Sequence, residues 1–140
     1  MATNLTDYES TAVARSGDAP VKYRPPLRLQ GFLKPGTIIA ANDTNGVVVN
    51  VLGCGRIRVV VKTSAAGTLR LRWRLADHLV VLATAASNPA DPGTAIVAAT
   101  ELVVDIANNP GFGELEVAIV NGAAPSTISY VDVFMTDTPN

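Results

Sequence analysis

Two neighbouring segments of the chain alternate between charged and apolar residues, with Val60 as the one apolar residue on the charged side, and this alternation constrains the fold more than any other feature. In residues 56–62, Arg56, Arg58 and Lys62 share one parity, and β-branched residues hold the other. In residues 69–74, three arginines alternate with two leucines and a tryptophan. Side chains of an extended strand point to opposite faces in turn, so both segments predict half-buried β-strands with one face in water. Such strands are typical of antiparallel sheets that cover a core on one side.

The rest of the body shows short runs rich in β-branched residues between turn residues. The predicted strands are about 37–41, 46–52, 56–63, 68–75, 79–84, 94–99, 101–107, 114–120 and 126–135. Intervals of roughly 8–12 residues between such strands are typical of an all-β sandwich or barrel. The orientation of the last strand stays open, because Tyr130, Asp132 and Phe134 share one side and three apolar residues share the other. A chain of 140 residues fits one domain.

An extended arm precedes this body. Residues 1–36 are rich in Thr, Ser, Asp and Pro, and the pair Pro25-Pro26 favours an extended path, polyproline-like or along a sheet edge, without a helix. A Pro-Gly turn signal at 35–36 separates the arm from a sandwich domain of residues 37–140. Because the arm has little apolar surface of its own, we expect a neighbouring chain or the domain's own surface to hold it.

Charge is divided unevenly along the chain. Eleven bases and four acids give residues 1–74 a net charge of +7, and eight acids without a base give residues 75–140 a net charge of −8. A hairpin of the two basic strands would set like charges opposite one another, which is destabilising by a few tenths to about 1 kcal/mol per pair. In a jelly roll, consecutive strands mostly belong to different sheets, which avoids this pairing.

We therefore predict a jelly-roll-like antiparallel β-sandwich in which each basic strand lies beside an acidic one. Counting from the strand at 46–52, the segment 56–63 pairs with 114–120, and 68–75 lies between 126–135 and 101–107. Exposed ion pairs contribute only roughly 0–1 kcal/mol each. Their expected role is therefore to set the strand register rather than to add stability.

No residue pattern indicates a catalytic or metal site. The one histidine, His78, has no accompanying nucleophile motif, and the one cysteine, Cys54, lies in a Gly-Cys-Gly turn without a nearby base. One residue of each kind does not make a zinc site. A glycoside hydrolase needs a pair of carboxylates in a cleft, whereas Glu114 and Glu116 are expected to share a strand face that is exposed to water. We expect no enzyme activity, cofactor or bound metal, and we interpret His78 and Cys54 as structural.

Two kinds of binding module are alternatives. The arginines between 56 and 74 could contact phosphates, but no outward aromatic residues accompany them for base stacking, so a nucleic-acid partner is not expected. Sugar binding usually relies on exposed aromatic faces, and Trp73 falls on the inward side of its strand. The loop residues left for a carbohydrate are Asn88, Asp91, Asn108 and Asn109. No run of about 18 apolar residues exists, so a membrane span is not expected.

An extended arm of residues 1–36 followed by a β body of residues 37–140 resembles the small decoration or cement proteins of tailed-phage capsids. The resemblance implies a structural protein on the virion surface, made in the host cytoplasm. Its partners would be the major capsid protein or other virion subunits, and it would form a homo-oligomer, with a trimer favoured. The polar, acidic first residues do not predict a secretory signal peptide. A place elsewhere in the virion, such as the tail, fits the same features.

We predict that the arm makes the partner contacts. Strand addition to an exposed sheet edge would satisfy backbone groups on both chains, while apolar side chains cover the neighbour and basic ones pair with its acids. The predicted partner-binding residues are Tyr23, Arg24, Pro25, Pro26, Leu27, Arg28, Leu29, Phe32, Leu33 and Lys34. Deletion of residues 1–36 is expected to leave a folded body that no longer joins the assembly.

Overall fold

The chain folds into two antiparallel β-sheets that enclose one hydrophobic core, which confirms the predicted all-β sandwich. The structure, a computed structural model, describes residues 22–23, 25–75, 78–81, 93–107 and 109–137. The strands are β1 Lys22–Tyr23, β2 Leu27–Arg28, β3 Ile38–Ile39, β4 Thr44–Asn50, β5 Arg56–Thr63, β6 Gly67–Leu75, β7 His78–Val81, β8 Thr94–Ile96, β9 Leu102–Ile106, β10 Glu114–Asn121 and β11 Ser126–Asp137. A short 3-10 helix, Gly31–Leu33, lies between β2 and β3. No helix within these ranges is long and apolar enough to cross a membrane.

The two sheets are built in the same way. In the six-stranded sheet, β5 lies between β9 and β11, and the three short strands β1, β2 and β3 follow one another along the other edge of β11. In the five-stranded sheet, β10 lies between β4 and β6, and β7 and β8 share the other edge of β6. The two basic strands β5 and β6 are thus in different sheets, as their like charges predicted.

The predicted neighbours of these basic strands are wrong in detail. β5 pairs with β11 and β9 rather than with β10, and β6 pairs with β10 rather than with β11 or β9. The error arises because the sequence count began at 46–52, whereas the residues of β1 to β3 already supply a strand's length along β11. Two-residue strands interrupted by prolines and a helical turn show no alternation that a sequence could reveal. Each basic strand still gains an acidic neighbour.

The core lies between the sheets and follows the alternation. Ile57, Val59 and Val61 of β5 are buried. Leu69, Leu71 and Trp73 of β6 belong to the same core in the other sheet. Trp73 is buried, as predicted, and stacks on Phe112 with ring centroids 5.2 Å apart. In β11 the buried side is the one with Val131, Val133 and Met135. Tyr130, Asp132 and Phe134 therefore lie on the outer face, which resolves the open orientation of this strand.

The segment before β3 contributes to the same core. Leu29 and Leu33 are 3% and 0% exposed. The amide of Leu29 donates to the carbonyl of Val131 at 2.8 Å, and the amide of Gly36 donates to the carbonyl of Ile128 at 2.8 Å. Residues 25–36 therefore run along the edge of β11 and close the sandwich on that side. The 3-10 helix within them is a departure from the expectation of a helix-free path.

Candidate interaction surface

The outer edge formed by β2, the 3-10 helix and β3 presents three large apolar side chains to solvent. Leu27 is 41% exposed, and Phe32 and Ile38 are each 69% exposed. Leu27 pairs with the buried Val133 and so lies on the core-facing side at the rim, whereas Ile38 pairs with the exposed Thr127 on the outer face. Along the edge the set spans six residues of β11, about 20 Å at roughly 3.3 Å per residue. We call Leu27, Phe32 and Ile38 the arm edge. Large apolar side chains exposed along one edge of a folded domain are candidates for contacts with a partner.

Buried groups behind the arm edge hold it in place. Leu29 and Leu33 insert into the core on either side of the turn. The Nδ2 of Asn45 in β4 donates to the carbonyl of Phe32 at 3.0 Å. The buried Nδ2 of Asn121 contacts the carbonyls of Ile39 and Ala40, each at 3.0 Å. These contacts fix the backbone that carries the exposed side chains, so little ordering entropy remains to be lost on binding.

Glycine allows the turn that exposes Phe32. Gly31 begins the 3-10 helix with φ +65, in the left-handed region that L side chains rarely adopt. The turn then places Phe32 outwards and Leu33 inwards, although the two are adjacent in sequence.

Arg28 is engaged within its own chain. Its Nε and Nη2 donate to the two carboxylate oxygens of Asp132, each at 2.8 Å, and its guanidinium lies 5.4 Å from the centre of the Tyr130 ring. The hydrogen bonds to Asp132 raise the pKa of Arg28 above its ordinary value. The expectation that Arg28 pairs with an acid on a partner therefore competes with a bidentate contact already made in β11.

The structure separates the predicted partner-binding residues into groups. Pro25, Pro26, Leu27, Phe32 and Lys34 are exposed, Leu29 and Leu33 are core residues, and Arg28 pairs with Asp132. Tyr23 pairs with Thr136 through the backbone, and Arg24 lies outside the described residues. Contact of these residues with a partner stays a prediction. The sequence did not single out Ile38, because a two-residue strand gives no alternation from which its outward direction could be read.

The outer face of the six-stranded sheet carries a second cluster of side chains. Arg58 donates from Nε and Nη2 to the two oxygens of Asp105 at 2.6 and 3.0 Å. This hydrogen bonding holds the pKa of Asp105 below its ordinary value and raises that of Arg58. The hydroxyl of Tyr130 donates to Glu101 at 2.5 Å, and this bond raises the pKa of Tyr130.

The outer face of the five-stranded sheet is also charged. Oε1 of Glu116 in β10 accepts from Nε of Arg72 at 2.9 Å and lies 3.4 Å from Nη2 of Arg70. Arg74 lies opposite Glu114 in the register but forms no ion pair with it. The sequence prediction placed β5 beside the strand of Glu116 and β6 beside the strand of Asp105. In the structure the two acids are the other way round: Glu116 lies beside β6, and Asp105 lies beside β5.

The structure describes some of the residues that were weighed for chemistry. Cys54 is buried in the core, and His78 begins β7 opposite Leu75. The side chain of Asn109 organises its own loop, donating to the carbonyl of Phe112 at 2.9 Å and accepting from its amide at 2.8 Å. Asn88, Asp91 and Asn108 lie outside the described residues. Within the described ranges no three His, Cys, Asp or Glu side chains are placed to hold a metal ion.

No protein-family model matches the chain, and no curated protein is similar to it at a significant level.

Proposed function

We propose that this chain is a structural protein of a virion, a decoration or cement protein that binds neighbouring capsid subunits and copies of itself through its arm edge. The observation that carries the proposal is the exposure of Leu27, Phe32 and Ile38 on a backbone anchored by buried leucines. Interfaces gain most of their binding free energy from a few apolar or aromatic anchors that lose water on contact. Phe32 is the one aromatic anchor of the arm edge.

The backbone of the arm supports the same proposal. β2 and β3 pair with β11 on one side and with no other strand among the described residues. Their outer amide and carbonyl groups are therefore open to strand addition by a neighbouring chain. Strand addition supplies hydrogen bonds along the edge, and the apolar side chains supply the desolvated contacts.

The strand order supports a jelly roll as the finer description of the sandwich. If β1 to β3 count together as the first strand, and β7 with β8 as the fifth, one sheet has the order first, eighth, third, sixth. The other sheet has the order second, seventh, fourth, fifth. The order is the one that we predicted for a jelly roll, but the first strand is formed by β1 to β3 rather than by the strand at 46–52. Eight-stranded jelly rolls are common in viral capsid proteins and lectins.

Deleting the arm is a poor test of this function. Removal of residues 1–36 would also remove Leu29 and Leu33 from the core and β2 from the edge of β11. Loss of assembly after that deletion could follow from unfolding alone. Substitutions on the exposed side separate binding from folding.

The test is the solution mass of a double variant, Phe32→Ser with Ile38→Ser. We expect the wild type to sediment as an oligomer and the double variant as a monomer with an unchanged melting temperature. The matched control is Val97→Ser, an equally exposed residue after β8, on the side of the sandwich away from the arm. A wild type that is monomeric at high concentration, or a double variant that keeps the wild-type mass, would contradict the proposal.

A further inference from the structure

A depression of about 540 Å³ lies on the outer face of the six-stranded sheet, and none of the arm-edge residues lines it. It crosses β11, β5 and β9. Its volume is within the roughly 300–1,000 Å³ of pockets that bind small molecules. The lining residues differ from Leu27, Phe32 and Ile38, so binding at the depression and assembly through the arm edge can be tested with separate substitutions.

The middle of the depression is apolar. Phe134 of β11 and Val103 of β9 are exposed large hydrophobic residues, and the half-buried Val60 of β5 lies between them, next to Val103 in the register. Outward positions of a solvated sheet face are usually polar, so three apolar side chains across three strands need an explanation. An apolar ligand body of a few carbons would cover this surface.

The acids around the depression are already engaged. Both oxygens of Asp105 accept hydrogen bonds from Arg58, at 2.6 and 3.0 Å. Glu101 accepts from the hydroxyl of Tyr130. Arg56 lines one end of the depression and forms no ion pair with any residue that the structure describes. Its charge acts on Asp105 through space, where it helps to lower the pKa of that carboxyl, but the direct contacts of Asp105 are made by Arg58.

A second unsatisfied group lies beside Arg56. Thr136 is its cross-strand neighbour and also lines the depression. Its Oγ1 is shielded from water and has no hydrogen-bond partner. Buried hydroxyls are normally hydrogen-bonded, because leaving one unpaired costs free energy. One end of the apolar depression therefore holds a hydroxyl without a hydrogen-bond partner and a guanidinium that makes no direct ion pair with a described residue.

We propose that this depression binds a small amphipathic anion, a carboxylate on an apolar body. The carboxylate accepts hydrogen bonds from the guanidinium of Arg56 and the hydroxyl of Thr136. The apolar body lies over Val60, Val103 and Phe134. A guanidinium fork suits a two-oxygen anion better than it suits a neutral group or a cation.

The probes are octanoate and octylamine, which share an eight-carbon body and differ in charge. We expect octanoate to shift the backbone amide resonances of residues 58–60, 103–105 and 134–136, and octylamine to bind about tenfold more weakly or not at all, since a charge-assisted contact is worth about that factor. Arg56→Gln should weaken octanoate binding about tenfold for the same reason. Val103→Asn should weaken both probes, because it removes apolar surface.

The matched control is Lys34→Gln, which removes an exposed cation from the arm and should leave the octanoate affinity unchanged. Melting temperatures of all variants verify that each remains folded. Equal binding of octanoate and octylamine would overturn the proposal. So would an unchanged affinity in a folded Arg56→Gln protein, or resonance shifts confined to another face. None of these outcomes bears on the arm edge, which the solution mass tests separately.

Discussion

Three carboxylates of the acidic half form the ion pairs that join it to the basic half of the chain. Asp132 binds Arg28, Asp105 binds Arg58, and Glu116 is shared by Arg70 and Arg72. Both side chains of the Arg58–Asp105 pair are 57% exposed, and such ion pairs add little stability, whereas Asp132 is only 15% exposed beside Arg28. Their effect is on register, because a shift of one residue in either strand would turn the charged side chains towards the core.

The Arg58–Asp105 pair makes stability depend on pH in a defined direction. Hydrogen bonding to Arg58 holds the pKa of Asp105 below its ordinary value of 3.8 in the folded chain. The contribution of Asp105 to stability is therefore fully present above pH 3.8 and is lost as pH falls through the lowered pKa. We expect Asp105→Asn to be less stable than the wild type at pH 6, with the difference closing on acidification.

Urea denaturation at several pH values checks this expectation. The control is Glu114→Gln, which removes an exposed carboxylate that has no ion pair among the described residues. A constant difference between Asp105→Asn and wild type from pH 6 down to pH 2 would show that Asp105 is not the group responsible.

At the scale of elements, the short segment from β2 to β3 both completes the core and exposes an apolar side chain, and it does so with two adjacent residues. Leu33 completes the core, and Phe32 points into solvent. We expect Leu33→Ala to lower the free energy of unfolding by about 2–5 kcal/mol, as large-to-small core substitutions do. Phe32→Ala should change it by no more than about 0.5 kcal/mol, as exposed substitutions usually do.

Chemical denaturation of the two single variants distinguishes these effects. Equal stability of Leu33→Ala and wild type would mean that the arm does not pack on the sandwich in solution. A large loss for Phe32→Ala would mean that this side chain is buried in the folded chain and cannot serve as a contact.

The strands that the sequence predicts best are those with the clearest alternation. The bounds of β5 agree with the predicted 56–63, and β6 differs by one residue. The orientation of β11 was open because both of its faces carry large residues, and only its packing against the core decides it. The predicted strand at 37–41 contains β3, but β1 and β2 were not given as strands, because two residues are too few to show a period.

The candidate surface was predictable only in part for the same reason. The sequence placed contact residues in the arm, and the exposed Leu27 and Phe32 are among them. Leu29 and Leu33 were also predicted to contact a partner, but both are buried in the core. An irregular segment has no sequence periodicity from which buried and exposed residues could be told apart. The depression forms because β5 lies between β11 and β9. The sequence prediction gave β5 a different neighbour, so it could not place the lining residues together.

At the scale of the whole molecule, the basic and acidic halves are interleaved rather than separated. Strand β5 lies between two strands of the acidic half, and β6 lies beside a third. The large opposite charges of the two halves are therefore partly neutralised within one chain. Exposed apolar side chains remain on this surface, and our proposal assigns those of the arm edge to partner contacts.

Amide hydrogen exchange of the wild-type protein in dilute and in concentrated solution tests this conclusion most directly. If copies associate through the arm edge, peptides covering residues 27–38 gain protection as concentration rises, while those covering residues 94–103 do not change. Protection that stays constant at residues 27–38, or that rises only at 94–103, would contradict assembly through the arm edge.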